Sequence, residues 1–136
     1  QLKKVGKFVE KRRENWQALR DGLAGLEDKL ILPCYEQNAK PSWFGFLLTC
    51  QPGVSREQVI QYVEGKGIQT RMLFSGNLIR HPCFDELRKR GTSYRVVGEL
   101  TKTDRIVEDT FWVGVYPGMT EQMISYMAKT IREAVR

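Results

Sequence analysis

A chain of 136 residues is the size of one domain, large enough to bury a core without metal or disulfide support, and 41% apolar with 28% charged residues describes a folded protein rather than a disordered one. No apolar run approaches the roughly 20 residues that a membrane-spanning helix needs. The excess of 22 basic over 16 acidic residues, +6 in formal charge, suits an anionic ligand or nucleic acid and specifies neither.

The sequence opens at Gln1 inside an amphipathic pattern. Leu2, Val5, Phe8, Val9, Trp16, Leu19, Leu23 and Leu26 recur at helical spacing, and no Ser, Thr, Asp or Asn precedes them as an N-cap. A natural domain rarely starts mid-helix, so the expectation is a piece of a longer protein whose preceding part feeds this helix. Its first residues are charged and amphipathic, unlike a signal peptide. Lys3, Lys4, Lys7 and Lys11 fall within an arc of about 100° opposite the apolar stripe, as on a solvated face. A polyanion-binding surface and a face covered by the rest of the protein are the alternatives.

Gly22 and Gly25 mark the end of this helix, and "KLILP" reads as a short strand closed by Pro33. "WFGFLLTC", residues 43–50, is almost wholly apolar without alternation, which predicts a central strand covered on both faces. Ser55 with Gln58 has capping-box spacing and predicts a helix of about ten residues ending at "GKG". "IQTRMLF" supplies a strand, and Pro82 starts a short helix, "CFDELRKR", stopped by Gly91. Thr101 and Asp104 repeat the capping-box spacing ahead of "TKTDRIVEDT". "FWVGVY" is a strand ended by Pro117 and Gly118, and Thr120 caps a last helix whose Met123, Met127 and Ile131 form the core-facing row. Trp43 and Trp112 are expected in the core or at an interface. The alternation of strands and helices predicts an α/β two-layer sandwich, with helices on one face of a small sheet whose strand order cannot be read.

Cys34, Cys50 and Cys83 are odd in number and show neither a CxxC pair nor a Cys/His zinc spacing, so reduced thiols in the cytoplasm and no metal site are expected. No nucleophile motif accompanies His81, the only histidine, so no complete catalytic unit is assigned within the chain. The segment "RMLFSGNLIRHP", residues 71–82, sets two arginines and an asparagine around a Ser-Gly turn. Forked guanidinium donors suit phosphate or carboxylate, yet the same cluster serves equally as a structural ion-pair node.

The segments "FVEKRRENWQALRDGL", "PSWFGF", "GIQTRMLFSGNLIRHP", "YRVVGEL" and "TDRIVEDTFWVGVYPGMT", in this order, resemble the C-terminal segment of the DegT/DnrJ/EryC1/StrS family of pyridoxal-phosphate-dependent sugar enzymes, within it the sugar 3-dehydratase branch. The resemblance implies the small domain of a type I aminotransferase fold, with a mostly antiparallel sheet. Residues 1–28 would end the helix that joins it to a large cofactor-binding domain, and residues 29–136 would be the small domain. It implies a full-length homodimer that uses pyridoxal or pyridoxamine phosphate to remove the C3 hydroxyl of a CDP- or GDP-linked 4-keto-6-deoxyhexose for lipopolysaccharide assembly. The cofactor residues, and any iron-sulfur ligands, would lie outside this chain, which would be inactive alone. Substrate-side residues implied here are Arg71, Phe74, Ser75, Gly76, Asn77 and Arg80, with Ser42 and Trp43 secondary; nucleic acid and membrane are not implied partners. Aminotransferases of the family usually carry a "PLHLQP"-like loop. Ile79 stands where their histidine would be, and "SGNLIRHP" instead resembles the dehydratase version of the loop, which favours that branch over the aminotransferase alternative; His81 stands where Gln is expected and is given no role.

Overall fold

The computed structural model describes residues 2–136; Gln1 lies outside the described residues. A short 3-10 turn, Leu2–Lys4, leads into α1, Val5–Gly22. Lys4 occupies the N-cap without a side-chain hydrogen bond, in keeping with the missing cap signal. Trp16, Leu19 and Leu23 are buried, whereas Leu2, Val5 and Phe8 at the start of the same stripe are exposed. The apolar pattern therefore runs on beyond the core that these residues build.

Four strands follow, β1 (Leu30–Ile31), β2 (Gly45–Cys50), β3 (Thr70–Met72) and β4 (Thr110–Gly114), interleaved with α2 (Arg56–Gly65), α3 (Asp85–Arg90), α4 (Thr101–Asp109) and α5 (Glu121–Ala134). The sheet is antiparallel throughout, in the order β1-β2-β4-β3. Register places Phe46 opposite Val113 and Leu48 opposite Phe111, and all four are buried. They pack with Trp16, Leu19 and Leu23 of α1, Val59 and Val63 of α2, and Ile124, Ala128 and Ile131 of α5, which gives the predicted two-layer sandwich.

Three expectations change. β2 is not covered on both faces: Phe46, Leu48 and Cys50 are buried, while Leu47 and Thr49 between them are only half-buried. Its apolar run hides the alternation because the second face is itself aromatic. Phe44 meets Trp112 edge-on at 5.3 Å, and Trp112 lies over Gly45, where a Cβ would come within 2.7 Å of the indole. The buried row of α5 is Ile124, Ala128, Ile131 and Val135, with Met123 exposed and Met127 half-buried at its flank. One residue is a 100° step on a helix, so an apolar stripe this wide does not disclose its centre. Finally, Thr101 is not an N-cap. Leu100 holds that position without a side-chain bond, and the Asp104 carboxylate turns elsewhere.

The other two cap signals hold. Ser55 accepts from Gln58 N at 3.4 Å and Thr120 from Met123 N at 3.2 Å, and Gly91 ends α3 in the left-handed region at φ 65°. Thr120→Ala is expected to lower stability by about 1 kcal/mol. A fall in the urea midpoint at constant slope would register it, and an unchanged midpoint would remove the cap from the account. Cys50 is buried and its thiol is pushed up to about 11, first by burial and then by the Asp109 charge, so it packs as a small apolar side chain. Cys34 and Cys83 are exposed free thiols.

Candidate functional site

Arg71 is the middle residue of the edge strand β3. Register sets it opposite Trp112, which in turn sits opposite Leu47, so the three side chains share the sheet face away from the helices. The indole Nε1 of Trp112 donates to the Met72 carbonyl at 3.1 Å and ties the end of β3 to β4. Arg71 Nη1 donates to Thr70 O at 3.1 Å. The Gln69 amide is satisfied with its oxygen toward Arg71, accepting from Nη1 at 3.1 Å and Nη2 at 3.0 Å. The guanidinium stays exposed at the rim of a cleft of about 490 Å³, whose apolar lining includes Ile68, Trp112, Tyr116, Met119 and Met123. A fork of donors beside an apolar-aromatic surface is suited to a molecule with an anionic group joined to a ring.

Beyond Met72 the chain turns tightly. Phe74 N donates to Met72 O at 2.9 Å and Gly76 N to Leu73 O at 3.2 Å. Phe74 sits at φ 44°, in the left-handed region, where a non-glycine residue of this kind costs about 1–3 kcal/mol. Its ring is 76% exposed, so no burial on this chain offsets that cost. Gly76 is required twice, at φ +62° and with a Cβ position only 2.8 Å from Val107 Cγ2 on α4.

Asn77 and Arg80 converge on α4. Asn77 is buried, and its Nδ2 donates to Asp104 Oδ1 at 2.7 Å. Arg80 makes a fork to the same carboxylate, Nε to Oδ1 at 2.9 Å and Nη2 to Oδ2 at 2.6 Å. The Arg80 hydrogen bond first, and the Asn77 bond second, hold the Asp104 carboxyl below its ordinary range. His81 closes the turn through its Nε2, which donates to the Ser75 carbonyl; a carbonyl only accepts, so Nε2 carries the proton. Arg88 of α3 donates to the carbonyls of Ile79 and His81, pinning the far side.

The sequence-expected residues thus divide. Arg71 and Phe74 present side chains outward, Ser75 gives its carbonyl to His81, Gly76 permits the approach to α4, and Asn77 and Arg80 bond Asp104. Ser42 is exposed, and Trp43 stacks on Trp16 at 5.0 Å beside a different cleft, of about 420 Å³, lined also by Arg13, Tyr35 and Pro41. Their neighbour Phe44 reaches Trp112 instead. Asp104 and Trp112, which complete this geometry, are not marked as site residues by the sequence. The first was masked by a capping-box spacing, and the second reads as core in any apolar strand.

Because Asp104 has its folded pKa depressed, its stabilisation is complete above the unfolded carboxylate value of about 3.9 and is lost as pH falls through the lower folded value. The urea-midpoint difference between wild type and Asp104→Asn should stay constant from about pH 5 to about pH 8 and shrink below about pH 4. A difference independent of pH across the acid range would show that the carboxylate is not held in this way.

The fold is a small α/β unit that recurs in solved aminotransferases. The solved structure of a GDP-4-keto-6-deoxymannose-3-dehydratase with a trapped PLP-glutamate geminal diamine matches it with a TM-score of 0.78 at 24% identity, over 96% of this chain and 32% of that one. The chain belongs to the DegT/DnrJ/EryC1/StrS aminotransferase family, which it matches over residues 1–132. It is 44% identical over 137 aligned positions to the dTDP-4-dehydro-2,6-dideoxy-D-glucose 3-dehydratase of Saccharopolyspora spinosa, covering 99% of this chain and 28% of the relative. It is 43% identical over 135 positions to the lipopolysaccharide biosynthesis protein RfbH of Salmonella typhimurium, covering 98% of this chain and 30% of the relative. The chain therefore spans less than a third of the length of these relatives. Among the described residues no helix is long and apolar enough to cross a membrane.

Proposed function

We propose that this chain is the C-terminal, substrate-facing part of a nucleotide-sugar 3-dehydratase that serves deoxysugar supply to lipopolysaccharide. The observation that carries the reading is the identity of 44% and 43%, over nearly the whole chain, to a protein named as a sugar 3-dehydratase and to RfbH. Residues 1–28 end a helix that leads from a cofactor-bearing domain, and residues 29–136 form the small domain. The exposed Leu2, Val5 and Phe8 support this, since an apolar stripe that outruns its own core has a further surface to meet. The full-length protein works as a homodimer in the cytoplasm, where Cys34 and Cys83 stay reduced.

The substrate is a 4-keto-6-deoxy sugar joined to a nucleoside diphosphate. One relative is named for a dTDP sugar, which widens the CDP or GDP expected from sequence. Arg71 takes an anionic group through its exposed fork, and Phe74, Trp112 and Phe44 form the ring-facing surface. The Ser75 and Gly76 backbone shapes the turn between them. Asn77 and Arg80 act mainly through Asp104.

Pyridoxal phosphate needs an amine or imine partner, a group for its pyridine nitrogen and donors for its phosphate. The residues present do not fit that requirement. The lining of the 490 Å³ cleft has no Lys, His, Asp or Glu, in the 420 Å³ cleft both Lys40 and Glu14 are exposed, and the cleft at the 75–82 turn has no Lys, its Asp104 and His81 being bonded to Asn77, Arg80 and the Ser75 carbonyl. The cofactor therefore belongs to the rest of the protein. Mixing the isolated chain with pyridoxal phosphate should give only the weak absorbance of nonspecific lysine imines. A stoichiometric band, removed by substituting one lysine, would overturn the division of labour. A sugar aminotransferase is the second reading, favoured by the family's own description. A 4-amino sugar product would select it.

A further inference from the structure

The turn at Phe74 holds a residue in the left-handed region with its ring in solvent, so the surroundings must impose that conformation. Most of the restraints are local. The Ser75 carbonyl is held by His81, and the carbonyls of Ile79 and His81 by Arg88, all within one stretch of chain. Trp112 anchors only the start, at Met72 O. From α4, which is remote in sequence, Asp104 grips the turn beyond Phe74 through side-chain hydrogen bonds.

From the bonds already described, we infer that Asp104 is a positioning residue for the substrate-facing turn. With one carboxylate it satisfies the buried Asn77 amide and both edges of an Arg80 fork, while the next turn of its helix presents Val107 against Gly76. That helix is held in turn by Arg56 of α2, whose Nη1 donates to the Val107 carbonyl. A chain of contacts thus runs from α2 through α4 to residues 76–80. It fixes the backbone that aims Phe74 outward, three residues beyond Arg71. Without the carboxylate, the Asn77 amide is a buried donor without an acceptor and Arg80 is released. The turn then relaxes toward the unstrained backbone that Phe74 prefers.

The inference rests on the reading of this turn as substrate-facing, and its test separates the two. In the full-length enzyme, Asp104→Ala is expected to raise KM for a dTDP-, CDP- or GDP-linked 4-keto-6-deoxy sugar by about tenfold, with kcat within about threefold of wild type. Hydrogen exchange should quicken in a peptide covering residues 73–82 and stay unchanged in one covering 45–50. The exchanged pair Arg80→Asp with Asp104→Arg should recover much of the KM, which a generally weakened fold would not. An unchanged exchange rate at 73–82, a KM within about twofold of wild type, or a loss confined to kcat would each overturn the assignment. Should wild type convert none of these sugars, the dehydratase reading falls, and the exchange arm alone then decides whether Asp104 sets the turn.

Discussion

Replacing Trp16 with alanine is expected to lower the unfolding free energy by about 3–5 kcal/mol, read as a fall in the urea midpoint. Trp16 is 2% exposed and joins the two layers: its ring lies 5.0 Å from Trp43, 5.2 Å from Phe46 and 5.6 Å from Tyr35. Removing it opens a cavity between α1 and β2 and takes one ring away from each of three aromatic partners. Since domains of this kind are stable by about 5–15 kcal/mol in total, the variant should be close to unfolding. Trp16→Phe should cost clearly less. The indole Nε1 is buried with no hydrogen-bond partner among the described residues, and its removal offsets part of the lost packing. An alanine variant within about 1 kcal/mol of wild type would mean that α1 is not integral to this core.

In the full-length enzyme, Arg71→Ala is expected to lower kcat/KM by about 10- to 100-fold, the worth of one hydrogen-bonded charge pair of about 1.5–3 kcal/mol. Thermal stability should barely move. The side chain is exposed, and its partners on this chain are Thr70 O and the Gln69 amide. Arg71→Lys should recover only part of the loss, because an ammonium restores the charge without the planar fork. A kcat/KM within about twofold of wild type would remove Arg71 from the substrate surface.

The parts of this fold that sequence discloses are those decided within a few residues. Ser55, Thr120 and Gly91 act on the backbone beside them: the first two start α2 and α5, and the third ends α3. What depends on distant partners is hidden. Thr101 and Asp104 have the same spacing as a true capping box, and only the approach of Asn77 and Arg80 turns the carboxylate away. The apolar run at 43–50 is continuous because Phe44 and Leu47 share a half-open face with Trp112, a pairing that strand order alone creates. The 71–82 loop stands out by composition, yet the outward pair Arg71 and Phe74 and the pair Asn77 and Arg80 that bonds Asp104 have no local mark that tells them apart.

The most direct test is the product formed by the full-length, cofactor-loaded enzyme from nucleotide-linked 4-keto-6-deoxy sugars, followed by mass spectrometry and NMR. The expected product has lost the C3 oxygen and carries no nitrogen. A 4-amino sugar in its place, or no conversion of dTDP-, CDP- or GDP-linked substrates, would contradict it.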